Sequence, residues 1–197
     1  EATHGQGPAR LWFAGELANW DELPPLLTRY NVLGCMIDAN PEGHKALEFQ
    51  RQSAGFSVWR AFYGRQGQEL ELDQEQMTFH MNRTLALDET FERFRQGSRP
   101  LPRSARELGG RVKTGLGSYC RQVLAPQRTM ERDAQGNWVA RWVEHNKPDH
   151  YAHAELYCLM AEFADAQMVS YRIFDTDDLE RIGYFDGYEK QRRFGPV

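Results

Sequence analysis

Val32-Leu-Gly-Cys-Met-Ile-Asp38, continued at once by Ala39-Asn-Pro-Glu42, is a short apolar run that ends on a carboxylate and hands over to a helix start. A run of this length with no polar alternation suits a strand buried on both faces of a parallel sheet. Such sheets present ligands and reactive groups at the carboxyl ends of their strands, where Asp38 stands. Far downstream, Pro148-Asp149-His-Tyr-Ala-His153-Ala-Glu-Leu-Tyr157 places a second aspartate at the head of a strongly apolar helix. Two acids at element ends, on either side of an arginine-rich stretch, point to metal-dependent chemistry on a polyanion.

Around the Asp38 strand the chain reads as alternating strands and helices, the pattern of an α/β fold. His4-Gly-Gln-Gly-Pro8 is a turn, and Ala9 to Leu17, with Leu11, Trp12 and Phe13, predicts a strand. Asn19 can cap a helix through Tyr30 in which Pro24 is tolerated in the first turn. After the Asp38 strand come a helix from Pro41 to Gln52, a strand around Phe56 to Tyr63, a polar connection and a short strand from Met77 to Met81. Asn82 then caps a helix whose Leu87, Phe91 and Phe94 share one face before Gly97 stops it. Arg128-Thr-Met-Glu-Arg132 and Trp138-Val-Ala-Arg-Trp142 flank Asp133-Ala-Gln-Gly-Asn137, which predicts a β-hairpin with a five-residue turn. The Asp149 helix runs to about Ala164, and periodicity is lost from Ala166 onward.

The 197 residues, 41% hydrophobic and 12% aromatic, suffice for one core and exclude a disordered chain. No apolar run reaches the roughly 20 residues of a bilayer helix. Cys35, Cys120 and Cys158 are odd in number and lie in apolar sequence, which predicts reduced thiols in an intracellular core rather than a secreted disulfide scaffold. The net charge of −4 hides a local asymmetry. From Arg93 to Arg128 nine basic residues face one acid, Glu107. Arg99, Arg103, Arg106, Arg111, Lys113, Arg128 and Arg132 are the candidate contacts to a phosphate backbone; the competing reading is a solvated arginine face.

The strings Ile37-Asp-Ala-Asn-Pro-Glu-Gly-His-Lys-Ala46, Asn82-Arg-Thr-Leu-Ala-Leu-Asp88 and Asp149-His-Tyr-Ala-His-Ala-Glu-Leu-Tyr157 occur in this order. In that respect the chain resembles, from roughly Ala9 to Ala164, the nuclease domain of tailed-bacteriophage large terminase subunits, and the Asp149 string is the most specific part. The resemblance implies a ribonuclease H-like mixed sheet flanked by helices, with an extra β-hairpin near Gly136 beside the active site. It implies a divalent-metal-dependent endodeoxyribonuclease that cuts concatemeric viral DNA during genome packaging in the cytoplasm of an infected bacterium. Double-stranded DNA, a portal protein and a small terminase subunit are the implied partners, and two Mg2+ or Mn2+ ions the implied cofactors. Asp38 and Asp149 match the family's second and late aspartates as catalytic metal ligands, with His153 as an accessory.

The family's first aspartate lies on a first strand that this sequence lacks, so the expectation is an N-terminally incomplete nuclease domain over residues 1–165 and a C-terminal extension over 166–197. A strand bearing an aspartate is expected upstream of Glu1, and beyond it the family's ATPase domain, since no Gly-x-x-x-x-Gly-Lys-Ser/Thr loop is present.

The residue types agree with that chemistry. Phosphodiester hydrolysis needs an activated water and positive charge on the transition state, which two metals ~4 Å apart supply; hard divalent ions take carboxylate oxygens. Taken alone, an aspartate ahead of a helix is more often a cap than a metal ligand, and that holds for both. His145, His150 and His153 suggest a zinc cluster instead, but neither His-Glu-x-x-His nor Cys-x-x-Cys is present. Two other functional classes stay open: a non-catalytic module that docks a packaging motor on DNA or a portal, and an integrase- or resolvase-type nuclease on the same fold.

Overall fold

The computed structural model describes residues 10–64, 70–106, 108, 118–143 and 146–173. Two compact units divide the chain, Glu1–Ala161 and Glu162–Val197. The first contains strands β1 (Gly34–Asp38), β2 (Ser57–Tyr63), β3 (Glu71–Asp73) and β4 (Thr78–Met81), and the hairpin strands β5 (Gln127–Arg132) and β6 (Trp138–Val143). Its helices are α1 (Leu23–Arg29), α2 (Gly43–Gln52), α3 (Arg83–Arg95) and α4 (Tyr119–Val123); α5 (His150–Ile173) begins in the first unit and ends in the second.

The four strands form one mixed sheet in the order β1-β2-β4-β3. β1 runs parallel to β2, with Asp38 opposite Ala61, and β2 runs parallel to β4, with Tyr63 opposite Met81. β3 closes the far edge antiparallel to β4. The fold is thus mixed α/β, with helices flanking a four-stranded sheet and a separate hairpin.

Alternation along the strands sorts the side chains into two faces. Cys35, Ile37 and Val58 lie on one, packed with Leu27 of α1 and Phe49 of α2. On the same face Gln50 donates to the carbonyls of Val58 (2.8 Å) and Met77 (3.0 Å), tying α2 to two strands. Met36, Trp59, Ala61, Phe79 and Met81 lie on the other face and are buried; each such large side chain contributes about 1.5–3 kcal/mol. That face also carries Asp38 and Tyr63, which meet α5.

Asn82 caps α3 as its sequence predicts, its Oδ1 accepting from the amides of Thr84 (2.9 Å) and Leu85 (3.2 Å). The helix stops before Gly97, whose φ of 73° favours glycine. The hairpin turn occupies residues 133–137 as expected: Asp133 Oδ1 accepts from the amides of Gln135 (2.9 Å) and Asn137 (2.8 Å). Trp142 stacks on Phe91 of α3 with ring centres 4.5 Å apart, seating the hairpin on that helix.

Several expectations are corrected. Residues 10–17 form no strand; no described strand pairs with them, and Trp12 is left 80% exposed, because β-compatible side chains do not make a strand without a ladder partner. The polar connection after Tyr63 contains β3, a short, acid-bearing edge strand of the kind that lacks an apolar pattern. Asn19 caps a 3-10 turn, Trp20–Glu22, that leads into α1, and α2 starts at Gly43 rather than Pro41. Finally, α5 continues past Ala164 to Ile173. No cysteine is in a disulfide; Cys35 and Cys120 are half-buried, whereas Cys158 is exposed rather than packed away.

Candidate active site

The site is built where three strands end. Asp38 is the last residue of β1, Tyr63 the last of β2, and Arg83 the first of α3, directly after β4 and its Asn82 cap. Parallel strands deliver these positions to one edge of the sheet. The head of α5 covers it with Asp149, His153 and Tyr157, spaced i, i+4, i+8 and therefore aligned along one helix face.

A continuous chain of polar contacts joins the two aspartates. Asp38 Oδ1 accepts from the Asn40 amide (2.9 Å), and its Oδ2 accepts from the Tyr157 hydroxyl (2.7 Å). Tyr157 hydrogen-bonds Tyr63, whose hydroxyl bonds His153 Nδ1. His153 Nε2 lies 3.2 Å from Asp149 Oδ2 and 3.1 Å from Arg83 Nη2. Arg83 Nη2 also reaches Asp149 Oδ2 at 3.4 Å, and the Arg83 guanidinium lies 5.9 Å from the centre of the Tyr63 ring.

His153 sets the direction of this chain, because Nε2 cannot donate to Asp149 and accept from Arg83 at once. If Nε2 carries the proton and Nδ1 is bare, His153 donates to Asp149 and Tyr63 donates to His153. If Nδ1 carries it, Arg83 donates to His153, His153 to Tyr63, Tyr63 to Tyr157 and Tyr157 to Asp38. Tyr157 donates to Asp38 in either arrangement, and only the form protonated on Nδ1 runs donors continuously from Arg83 to Asp38.

Burial pushes the hydroxyls of Tyr63 and Tyr157 far above the ordinary tyrosine value, so both remain neutral donors. Burial also pushes the Asp149 carboxyl up, but the hydrogen bond to His153 and the nearby charge of Arg83 outweigh it and hold the group below the ordinary aspartate value. Asp149 is thus an ionised carboxylate whose side chain is only 7% exposed, while Asp38 faces solvent.

The other predicted contacts are dispersed. Arg99 is turned inward, its Nε 2.7 Å from Glu155 Oε2, and so does not contribute to an exposed basic stripe; burial of Glu155 beside it is the reason. Arg103 is exposed on the 3-10 turn Arg103–Arg106, which Arg106 completes. Arg111 and Lys113 lie outside the described residues. Arg128 makes a two-pronged bond to Asp88 (2.9 and 3.1 Å). Arg132 lies over the exposed Trp138 ring near the hairpin turn, 4.8 Å from its centre. His150 is exposed, and His145 lies outside the described residues.

Tyr63, Arg83 and Tyr157 were not singled out as site residues by sequence reasoning. The i, i+4, i+8 spacing of Asp149, His153 and Tyr157 was the available signal; nothing local marks Tyr63 or Arg83.

Asp38 and Asp149 offer the oxygen donors that Mg2+ or Mn2+ prefers, but among the described residues no three His, Cys, Asp or Glu side chains gather as a metal site. These donors fit such an ion in kind and not in number, and Arg83 supplies the positive charge beside Asp149. No helix among the described residues is long and apolar enough to cross a membrane. Comparison with protein-family models, curated proteins and solved structures yields no match.

Proposed function

We propose that this chain is the nuclease part of a viral DNA-packaging terminase, a ribonuclease H-like endodeoxyribonuclease that hydrolyses phosphodiesters of concatemeric DNA with divalent metal. The observation that carries the reading is the convergence of Asp38 and Asp149, from strings far apart in the sequence, on one sheet edge through Tyr157, Tyr63 and His153. A structural cap has no need of such a chain. Buried neutral tyrosines and a histidine that fix two carboxylates suit a preorganised site for charge that develops during reaction.

In this reading the chain's own residues do three things. Asp38, fixed by the Asn40 amide and Tyr157, presents a carboxylate edge to solvent, where a substrate can approach. Asp149 stays ionised beside His153 and Arg83. Arg83 places positive charge where a phosphate would gather negative charge. Because the described acids are too few for a two-ion site, the reading calls for a further carboxylate on a strand against the outer edge of β1, which pairs with no described strand. DNA, a portal protein and a small terminase subunit are the proposed partners, and the exposed Arg103 and Arg132 the proposed backbone contacts.

Supercoiled plasmid incubated with the protein and Mn2+ or Mg2+, with a chelator control, tests the proposal. Nicked and linear products that need the metal support it. Duplex binding with no cutting favours a non-catalytic docking module instead. Preferential cutting of branched over linear duplex favours a resolvase-type enzyme.

A further inference from the structure

Arg83 is in an unusual position for an arginine. Its Nη2 lies between Asp149 Oδ2 (3.4 Å) and His153 Nε2 (3.1 Å), its guanidinium sits beside the Tyr63 ring, and its Nε is buried with no hydrogen-bond partner. A buried guanidinium N–H without a partner is costly, more so than for a neutral group. An ion pair formed only to neutralise Asp149 would be expected to form a close two-pronged fork, as Arg128 does with Asp88 in this same protein. Arg83 instead makes one long contact through a single nitrogen. The side chain is 37% exposed, so the cation can be reached from solvent.

We propose that Arg83 contacts a non-bridging oxygen of a DNA phosphodiester, with Asp149 and His153 orienting its guanidinium for that purpose. The inference rests on the nucleic-acid reading of the site and adds a substrate contact that the paired aspartates do not supply. A planar guanidinium offers five N–H donors; with Nη2 engaged on Asp149 and His153 and Nε buried, Nη1 is the nitrogen left for a phosphate. As the first residue of α3, Arg83 places its guanidinium 5.9 Å from the ring of Tyr63, the last residue of β2.

The test compares wild-type protein with Arg83→Gln, Arg83→Lys and the double variant Arg83→Gln with Asp149→Asn, each checked for folding by circular dichroism. Affinity for a short fluorescent duplex is measured across a salt series in chelator, so that cutting plays no part. Loss of one phosphate contact should lower the slope of log K against log salt by about 0.9 in Arg83→Gln, and Arg83→Lys should restore it. In the double variant the buried charge is removed together with its partner, so thermal stability should recover while the slope stays low. Wild-type slope and affinity in Arg83→Gln would overturn the proposal, as would recovery of the slope in the double variant, which would assign Arg83 a purely structural role. Absence of cutting by the wild type would defeat the nuclease reading while leaving this measurement valid.

Discussion

Replacing Arg99 with alanine removes the cation from a carboxylate that has almost no access to water. The Arg99 and Glu155 side chains are 13% and 6% exposed, and Nε stands 2.7 Å from Oε2. Tyr119 donates to the other oxygen at 2.6 Å and is itself fully buried. After the substitution Glu155 keeps one neutral hydrogen bond and an unpaired buried charge. Removing one partner of a buried pair costs about 3–5 kcal/mol, and each kcal/mol shifts Tm by about 2–4 °C in a chain of this size, so a fall of about 6–20 °C is expected. Pairing the change with Glu155→Gln removes the stranded charge, keeps an acceptor for Tyr119 and should recover most of the loss. Thermal denaturation followed by circular dichroism gives both values; duplex binding across salt, measured in parallel below the transition, should show an unchanged slope. A Tm within about a degree of wild type, together with a flattened slope, would refute the placement of Arg99 and return it to the DNA-contacting surface.

Trp142→Ala should release the hairpin from α3, because it removes both the stack on Phe91 and the 2.8 Å bond from Nε1 to Asp88; the cost should be about 3 kcal/mol, at the low end for aromatic truncation, with faster proteolytic cleavage within residues 127–143. For Asp149 the sign follows from its depressed folded pKa. The unfolded chain takes up the proton first as pH falls, so the stabilisation from this group is fully present above about pH 4 and is lost as pH drops through the lower folded value. Urea midpoints of wild type and Asp149→Asn measured across that range should therefore converge toward low pH; a constant gap would show that the carboxylate's charge is not what stabilises the fold.

Much of the architecture is legible in the sequence because it is locally encoded. The apolar run into Asp38, the Asn82 cap with Gly97 as its stop, and Asp133 with Gly136 in the hairpin turn each specify an element through contacts a few residues long. The segment 10–17 shows the converse, since β-compatible side chains specify a strand only when a partner edge is present. β3 and α4 are too short to carry a period. At the site, both aspartates and His153 stand out by type and position, but Tyr63 and Tyr157 resemble ordinary core aromatics, and the bond from Tyr157 to Asp38 crosses 119 positions. Arg99 is hidden for the opposite reason: a run of arginines looks uniformly solvated until a buried Glu155 claims one of them.

Plasmid cleavage by Asp38→Asn and Asp149→Asn tests the central claim most directly. Each substitution keeps the side-chain shape and removes one negative charge, so folding can be verified alongside activity. The account predicts metal-dependent cutting by the wild type and loss of cutting by both variants at unchanged duplex affinity. Cutting by either folded variant at the wild-type rate in Mn2+ would contradict it, and would make that aspartate a structural residue.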